Sequence, residues 1–505
     1  MTAAIALTAS PRRLSELLMG RVRVNVAQDV EVSGLALDSR DVGPGMLFAA
    51  LSGTRGHGLE HLAQALEQGA AAVAWEPSAG VDPVLAERQC AERGVPLIAV
   101  EHLSSRLSEM AGRFYDLPSR YLRLVGVTGT DGKTSVSQFL AQALSRPGRP
   151  CGVLGTLGYG LYGKLAPASH TTPDAIRVQR LLAEQRAAGA RFAAMEVSSH
   201  ALAQGRVAAL DFDVAVLTNL TRDHLDYHGS DAAYAAAKTR LFQMPGLRHA
   251  VLNQDDPFGR RLADEIDPDV RLWRYSLRPD AEAEVVCKAL ECEPEGLRLR
   301  YATPVGEFQM TLPLFGRFNA ANVAAVLASL LALGLDHEAA AQAMQELRPV
   351  PGRMERFSAP GAPTVLVDYA HTPAALAAAL DAVRAHSTGR VWCVFGCGGD
   401  RDAGKRPLMG RAAVEGADRV LITDDNPRSE APESIVADIR RGLSGAEAHV
   451  IHDRTEAIRY AVAHADANDT VLIAGKGHET YQIVGAQCLP FDDREAVRAA
   501  LQERN

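Results

Sequence analysis

The segment 122–135 constrains this chain more than any other. An apolar run, 122–127, leads straight into Thr128-Gly129-Thr130-Asp131-Gly132-Lys133-Thr134-Ser135, where a helical pattern opens. A strand, a glycine-rich turn and a helix in that order form the setting of a phosphate-binding loop. Glycines let backbone N–H groups approach phosphate oxygens closely, and the helix N-terminus adds partial positive charge. Lys133 can then reach β- and γ-phosphates, and the Thr134 hydroxyl can ligate Mg²⁺. The spacing departs from G-x4-G-K-[ST]: Val127 stands at the first glycine position and Gly126 lies one residue early. A glycine-rich turn with one exposed lysine is the bland alternative, and the strand before and helix after argue against it.

The runs 122–127, 192–197 and 214–220 are apolar and separated by helical stretches. That alternation predicts a parallel sheet with crossover helices. Residues 285–312 alternate charged and apolar side chains, as antiparallel strands do, and 319–333 reads as a long helix. Pro349-Val350-Pro351-Gly352 reads as a linker. Beyond it, strands are expected at 365–369, 391–395, 420–423 and 471–474, with helices between. Before the loop, the pattern predicts a helix over 59–71, a strand over 97–100 and a bridging helix over 104–115 that stops at Leu117-Pro118. The expected class is therefore α/β with three domains, 1–101, 102–349 and 350–505. The central one is a P-loop-type parallel-sheet domain, flanked by a smaller N-terminal α/β domain and a C-terminal Rossmann-like α/β domain. A length of 505 residues agrees with that, at about 150 residues per domain.

Composition removes other classes. The 53 Lys and Arg against 61 Asp and Glu give a net charge of −8, which disfavours sequence-independent nucleic-acid binding. No run approaches the roughly 18 apolar residues of a membrane span. Residues 1–9 are apolar, but Arg12 and Arg13 follow them, the wrong order for a secretory signal. The seven cysteines are scattered, so no disulfide framework is expected. Cys393 and Cys397 flank Val394-Phe395-Gly396, with no further zinc ligands at suitable spacing, and read as buried strand thiols. A cytoplasmic location is the simplest expectation.

Further motifs follow the loop. They include Leu37-Asp38-Ser39-Arg40, His170-Thr171-Thr172-Pro173 and Met195-Glu196-Val197-Ser198-Ser199-His200. Asn219-Leu220-Thr221-Arg222-Asp223-His224-Leu225-Asp226, Tyr234-Ala235-Ala236-Ala237-Lys238 and Gly316-Arg317-Phe318-Asn319 come next. Gly352-Arg353-Met354-Glu355, Asp368-Tyr369-Ala370-His371-Thr372-Pro373 and Gly475-Lys476-Gly477-His478-Glu479 complete the series. In this order they resemble the Mur ligase family, ATP-dependent amide-forming ligases that build the peptide of the bacterial cell wall. The resemblance spans nearly the whole chain and is strongest to the type that adds 2,6-diaminopimelate. Asp131 stands where that family usually has Asn, and Ser135 where it usually has Thr.

The resemblance implies an ATP site of Gly129, Thr130, Asp131, Gly132, Lys133, Thr134 and Ser135, with Asn319 and Asn322 at the adenine. Asn319 and Asn322 lie three apart, so their amides share one helix face. Arg353 and Asp368 would complete the site from the third domain, making catalysis depend on domain closure. Lys133, Glu196, His224 and Lys238 are the implied catalytic set. Glu196, His224 and Thr134 would hold Mg²⁺, and Glu196 ends an apolar strand, where a hard oxygen ligand suits that ion. Lys238, alone an ordinary solvated lysine, is implied to carry a CO₂-derived carbamate that supplies another oxygen ligand.

Leu37, Ser39 and the loop Thr54-Arg55-Gly56 correspond to uridine-nucleotide contacts in the family. His170, Thr171, Thr172, Ser198, Gln204 and Arg206 match positions that hold the muramoyl-dipeptide. Asp425-Asn426-Pro427-Arg428 follows a predicted parallel strand, so it faces a ligand crevice. Diaminopimelate differs from lysine by one carboxylate, and an arginine binds a carboxylate with two parallel hydrogen bonds. Arg428 therefore supplies a reason to select diaminopimelate. Arg401 is a second carboxylate candidate, and Gly475 and Glu479 would receive the ammonium end.

The implied reaction joins meso-diaminopimelate to the D-Glu γ-carboxylate of UDP-MurNAc-L-Ala-D-Glu through an acyl phosphate, in peptidoglycan precursor synthesis. The expected partners are these small molecules and ATP, with no nucleic acid, no membrane and a monomeric chain. A folylpolyglutamate-type ligase would share the ATP motifs but leave the 425–428 and 170–172 segments without a reason. A P-loop ATPase or switch would turn over ATP without an acceptor.

Overall fold

The computed structural model describes residues 10–53 and 56–504. The apolar residues 1–9, and Thr54 and Arg55 of the expected nucleotide loop, lie outside these. The chain divides into two compact units, one running to Tyr275 and including Ala325–Leu335, the other comprising Ser276–Ala324 and the residues from Asp336 on.

The first unit opens with a parallel sheet of Gly34–Ala36, Met46–Ala50, Ala72–Trp75 and Leu97–Ala99, in that order. Helical segments cover both faces. Leu47, Ala49, Ala72 and Ala74 pack toward Leu103, Leu107 and Met110, while Phe48, Ala50 and Val73 pack toward Leu62, Leu66 and Cys90. The helix expected over 59–71 is shorter: a 3₁₀ turn over Gly58–His61 precedes a helix over Leu62–Glu67. A Cβ on Gly58 would lie 2.7 Å from Ala50 Cα, so the turn packs closely on the strand end. The helix Leu103–Phe114 leads onward.

Next comes a sheet whose parallel part runs Cys151–Gly155, Phe192–Glu196, Arg123–Thr128, Val214–Leu217, His249–Asn253 and Arg271–Ser276. Gly158–Leu161 and Lys164–Ala166 extend it antiparallel at the Cys151 side. Its central strands are apolar on both faces because crossover helices cover both. The strand leading to the phosphate loop therefore lies between the strands ending at Glu196 and Leu217. Their carboxyl ends deliver the loops after 128, 196 and 217 to one edge. Gly126 sits beneath Phe212, whose Cε1 would be 2.7 Å from a Cβ there, and Val127 is fully buried. The shifted glycine thus belongs to strand packing rather than to the loop. The strand expected over 214–220 stops at Leu217, since 218–221 turn aside to bond the loop.

The second unit contains three antiparallel strands, Val285–Glu293, Gly296–Thr303 and Gly306–Leu312. It also contains a six-stranded sheet: Glu355–Phe357, Thr364–Asp368, Thr470–Ala474, Val391–Phe395, Arg419–Ile422 and His449–Val450. All pairings but the first are parallel. Helices Pro373–His386, Lys405–Gly416 and Pro432–Arg440 pack on one face, and Arg454–His464 and Asp493–Arg504 on the other. Cys393 and Cys397 are buried, and burial pushes both thiols up to about 12. Among the described residues no helix is long and apolar enough to cross a membrane.

Candidate functional site

The phosphate loop is held by the segment after Leu217. Thr130 N–H donates to Asn219 O at 3.0 Å and Asp131 N–H to Asn219 Oδ1 at 3.0 Å. Thr218 Oγ1 donates to Asp131 O at 2.5 Å, and Thr221 N–H to Thr130 Oγ1 at 3.0 Å. Gly129 has φ 150° and a Cβ there would lie 1.8 Å from Thr218 Oγ1. Gly132, at φ 83°, precedes the helix Lys133–Leu144. Asp131 meets its neighbours through its backbone, and the residue is exposed.

Glu196 ends its strand fully buried. Its Oε2 accepts from Thr134 Oγ1 at 2.9 Å and Thr156 Oγ1 at 3.1 Å, and its Oε1 from Thr156 N–H at 2.8 Å. A Cβ on Gly155 would fall 2.3 Å from Oε1, so the carboxylate has a cradle only glycine leaves open. An oxygen-only cluster of carboxylate and hydroxyls suits a hard cation that retains several waters. Thr172 Oγ1 donates to Glu196 O at 2.8 Å and accepts from Ser198 N–H at 3.0 Å.

Lys238 lies on the helix Asp231–Phe242 and is 1% exposed. Its Nζ donates to Gly129 O at 2.7 Å and lies 4.6 Å from the Tyr234 ring centroid. Burial, then the charge of Lys133, pushes this ammonium well below the ordinary lysine range. Lys133 Nζ donates to Gly129 O at 2.9 Å and Thr130 O at 2.8 Å.

One cavity of about 270 Å³ brings much of the expected site together. Lys133, His170, Thr171, Thr172, Ser198, Arg206, His224, Tyr234 and Lys238 line it. Arg206 Nη1 donates to Thr172 O at 2.6 Å and its Nε to Gln204 Oε1 at 2.9 Å. Sequence reasoning missed Ser199 and His200, which also line the cavity, and His228, whose Nε2 is 3.0 Å from Ser199 Oγ. The ring centroid of His200 is 4.9 Å from His224 and 5.5 Å from His228. Burial, followed by mutual repulsion among these rings, holds His200 and His228 below the ordinary histidine range. The i, i+4 spacing of His224 and His228 was the available signal for the cluster. Leu37, Ser39 and Gly56 lie elsewhere in this unit and do not line the cavity. Ser39 is buried, with Oγ donating to Gln64 Oε1 at 2.8 Å, and Gly53 N–H donates to Gly56 O at 2.8 Å.

In the second unit, Asn322 Nδ2 donates to Asn319 Oδ1 at 3.1 Å, so the two amides do share a helix face. Asp368 accepts Met354 N–H and Ala370 N–H, each at 2.8 Å, and burial raises its carboxyl. Arg353 stacks over Tyr369 with Cζ 4.5 Å from the ring centroid.

The segment 425–428 follows the strand Arg419–Ile422. Asn426 Oδ1 accepts from Lys476 Nζ at 3.2 Å and Ile483 N–H at 2.9 Å, and its Nδ2 donates to Glu479 Oε2 at 3.1 Å. Lys476 is fully buried and pairs with the same Glu479 oxygen at 2.9 Å. The expected ammonium receptor thus already carries a cation on Oε2. Gly475 closes against this group, since a Cβ there would meet Asp425 Oδ2 at 2.7 Å. Pro427 is buried. Arg428 adopts φ 54°, and its Nη1 donates to Gly399 O at 2.8 Å. Arg401 is exposed. Sequence reasoning missed the hairpin Tyr481–Val484 and Gln487–Pro490, whose Gln482 Nε2 donates to Asp425 O at 2.8 Å.

Residues 31–115 match the Mur ligase family catalytic domain, 127–330 the Mur ligase middle domain, and 352–477 the Mur ligase glutamate ligase domain. A UDP-N-acetylmuramoyl-L-alanyl-D-glutamate–2,6-diaminopimelate ligase of Alkalilimnicola ehrlichii is 57% identical, over 97% of this chain and 99% of that protein. The ligase of the same name from Pseudomonas aeruginosa is 52% identical, over 94% and 96%. A solved structure of a protein of that name superposes with a TM-score of 0.71 at 36% identity, over 98% of this chain and 99% of its own. A Mycobacterium tuberculosis folylpolyglutamate synthase, 22% identical over 74% and 92%, shares the fold with a TM-score of 0.60. With Mur ligase domains in succession and relatives this similar over nearly its whole length, the chain belongs to the Mur ligase family.

Proposed function

We propose that this chain joins meso-2,6-diaminopimelate to the D-Glu γ-carboxylate of UDP-N-acetylmuramoyl-L-alanyl-D-glutamate, with ATP as co-substrate, in peptidoglycan precursor synthesis. The observation that carries the reading is the one cavity lined both by Lys133 of the phosphate loop and by Thr172, Ser198 and Arg206. A phosphate-binding loop and a polar, cationic wall there suit a γ-phosphate meeting a carboxylate. The high identity to ligases named for this reaction selects the substrates.

A carboxylate is inert to amines at neutral pH, so its oxygen must become part of a leaving group. The γ-carboxylate oxygen attacks the γ-phosphorus of ATP, ADP departs, and an acyl phosphate forms. The neutral amine of diaminopimelate attacks the acyl carbon. The tetrahedral adduct then expels phosphate and loses a proton to leave the amide. No covalent enzyme nucleophile is needed. The loop residues 129–135 bind the phosphates, with Lys133 countering charge on the transferring group. Glu196, His224 and the Thr134 hydroxyl would hold Mg²⁺, which supplies neutralisation of the phosphate charge. Burial lowers the proton affinity of Lys238, and its amine must give up that proton to add to CO₂. The resulting carbamate would convert a cation into an oxygen donor.

Leu37, Ser39 and the loop Thr54-Arg55-Gly56 are assigned to the uridine nucleotide, and His170, Thr171, Thr172, Ser198, Gln204 and Arg206 to the muramoyl-dipeptide. Asn319, Asn322, Arg353 and Asp368 are assigned to ATP, and Arg401, Asp425, Asn426, Pro427, Arg428, Gly475 and Glu479 to diaminopimelate. These jobs follow the division 1–101, 102–349 and 350–505, in a monomeric cytoplasmic enzyme. ADP release measured with each pairing of nucleotide-peptide and amino acid tests the reading. A ligase requires both; equal release from ATP alone would replace it with an ATPase or switch.

A further inference from the structure

The two segments that carry Arg401 and Arg428 are bonded to each other beside those arginines. Asp400, which precedes Arg401, accepts Ser429 Oγ on Oδ1 at 2.6 Å and Ser429 N–H on Oδ2 at 3.1 Å. Ser429 directly follows Arg428. Asp400 N–H donates back to Glu430 Oε1 at 2.5 Å, and Gly399 N–H donates to Asn426 O at 2.9 Å. Arg406, 2% exposed, holds this from behind, with Nη2 donating to Glu430 Oε1 at 2.8 Å and Nη1 to Asp438 Oδ2 at 2.9 Å. The approach requires glycine, since a Cβ on Gly399 would lie 1.9 Å from Pro427 O. Asp400 and Arg428 both take left-handed backbone, φ 53° and 54°, a conformation uncommon away from glycine.

We propose that Asp400, Ser429 and Glu430 are positioning residues that fix Arg401 and Arg428 at one spacing, and that this spacing makes the site select an amino acid with a second carboxylate. The inference rests on the assignment of both arginines to diaminopimelate. Two long, flexible cations discriminate by charge alone only weakly. Discrimination between a ligand with the extra carboxylate and one without it requires that the guanidinium groups be held where that carboxylate will be. Arg428 is anchored at Nη1 on Gly399 O, so the clamp aims its remaining donors. Arg401 is exposed, and it directly follows Asp400, which Ser429 and Glu430 hold.

The test is the ligation assay of the full chain at saturating ATP and nucleotide-peptide, with diaminopimelate or lysine as the amine. Ser429→Ala, Asp400→Ala, Asp400→Asn and Arg428→Ala are compared with the natural chain. Asp400 and Ser429 are exposed, so neither change threatens the core. For Asp400→Ala and Ser429→Ala we expect KM for diaminopimelate to rise about tenfold and the kcat/KM ratio of diaminopimelate to lysine to fall about tenfold. The kcat at saturating diaminopimelate and KM for ATP stay within about twofold. Asp400→Asn, which retains an acceptor and tolerates left-handed backbone, restores most of the ratio. An unchanged ratio in Asp400→Ala and Ser429→Ala, with selectivity lost in Arg428→Ala, overturns the clamp and leaves the diaminopimelate assignment standing. Unchanged selectivity in Arg428→Ala overturns both. A uniform loss of kcat with the ratio preserved also overturns the clamp, because a merely structural role would act that way.

Discussion

The ammonium groups of Lys133 and Lys238 donate to the same backbone oxygen, Gly129 O, at 2.9 and 2.7 Å. Two cations on one carbonyl repel one another, and that repulsion is what lowers Lys238 beyond the effect of its burial. An anion at the loop would relieve it, as would conversion of Lys238 to an anionic carbamate.

Replacing Lys238 therefore removes more than a charge. Lys238→Ala is expected to lose nearly all ligation, and short carboxylates such as acetate should restore part of it by supplying the oxygen donor. Full activity of the unsupplemented variant would remove Lys238 from the mechanism. Lys133→Ala, in contrast, should weaken ATP binding with no rescue by carboxylates, read by nucleotide titration.

Gly129 permits the close approach of the loop to Thr218. In Gly129→Ala the new Cβ would meet Thr218 Oγ1 at 1.8 Å, so the loop must move. Nucleotide affinity should fall by about tenfold or more, while far-UV circular dichroism stays unchanged, because the strain is local to one loop. Undiminished titration would show that the loop tolerates displacement.

Arg428→Ala removes a cation suited to bidentate carboxylate binding. The expected loss in kcat/KM is about 10- to 100-fold for diaminopimelate, from a charge-assisted bond of about 1.5–3 kcal/mol. Lysine, lacking the carboxylate, should be nearly unaffected. Competition between the two amines in one reaction checks this, and a retained preference defeats the assignment.

His478 supplies a pH prediction for the second unit. Burial, then Arg353, pushes it from the ordinary 6.5 down to about 4, and its Nδ1 is buried without a hydrogen-bond partner among the described residues. The unfolded chain therefore binds the proton more readily than the folded one between those values. Stability contributed by the neutral ring is full above pH 6.5 and falls away as pH drops toward 4. Melting temperatures across that window should decline less steeply in His478→Gln than in the natural chain. Parallel curves would show that His478 holds its proton equally in the folded and unfolded chain.

Much of this was legible in the sequence because it rests on local rules. The strand before Gly129, the helix from Lys133, the antiparallel strands of 285–312 and the later parallel strands each announce themselves by period and by glycine or proline. Glu196 was readable because it ends an apolar run with a charge. The histidine cluster was harder: His200 and His224 are remote in sequence, and their rings come within 4.9 Å only because the sheet order brings both strand ends to one edge, either side of the strand Arg123–Thr128. Lys476 stood in a motif with no role of its own, and its contact with Asn426 depends on a pairing distant in the chain.

By itself, then, the sequence determined the α/β class, the strand–glycine turn–helix of 123–144 and the set of side chains available for chemistry, since these follow from hydrophobic periodicity and residue type. Only the tertiary structure decided why Gly126 is a glycine, where the strand after Val214 ends, which cations share Gly129 O, and how Asp400 and Ser429 bind the two arginine segments together. Each of those depends on contacts between residues far apart in the chain. No local pattern encodes such a contact, because its energy arises only once the sheet order has brought the partners within bonding distance.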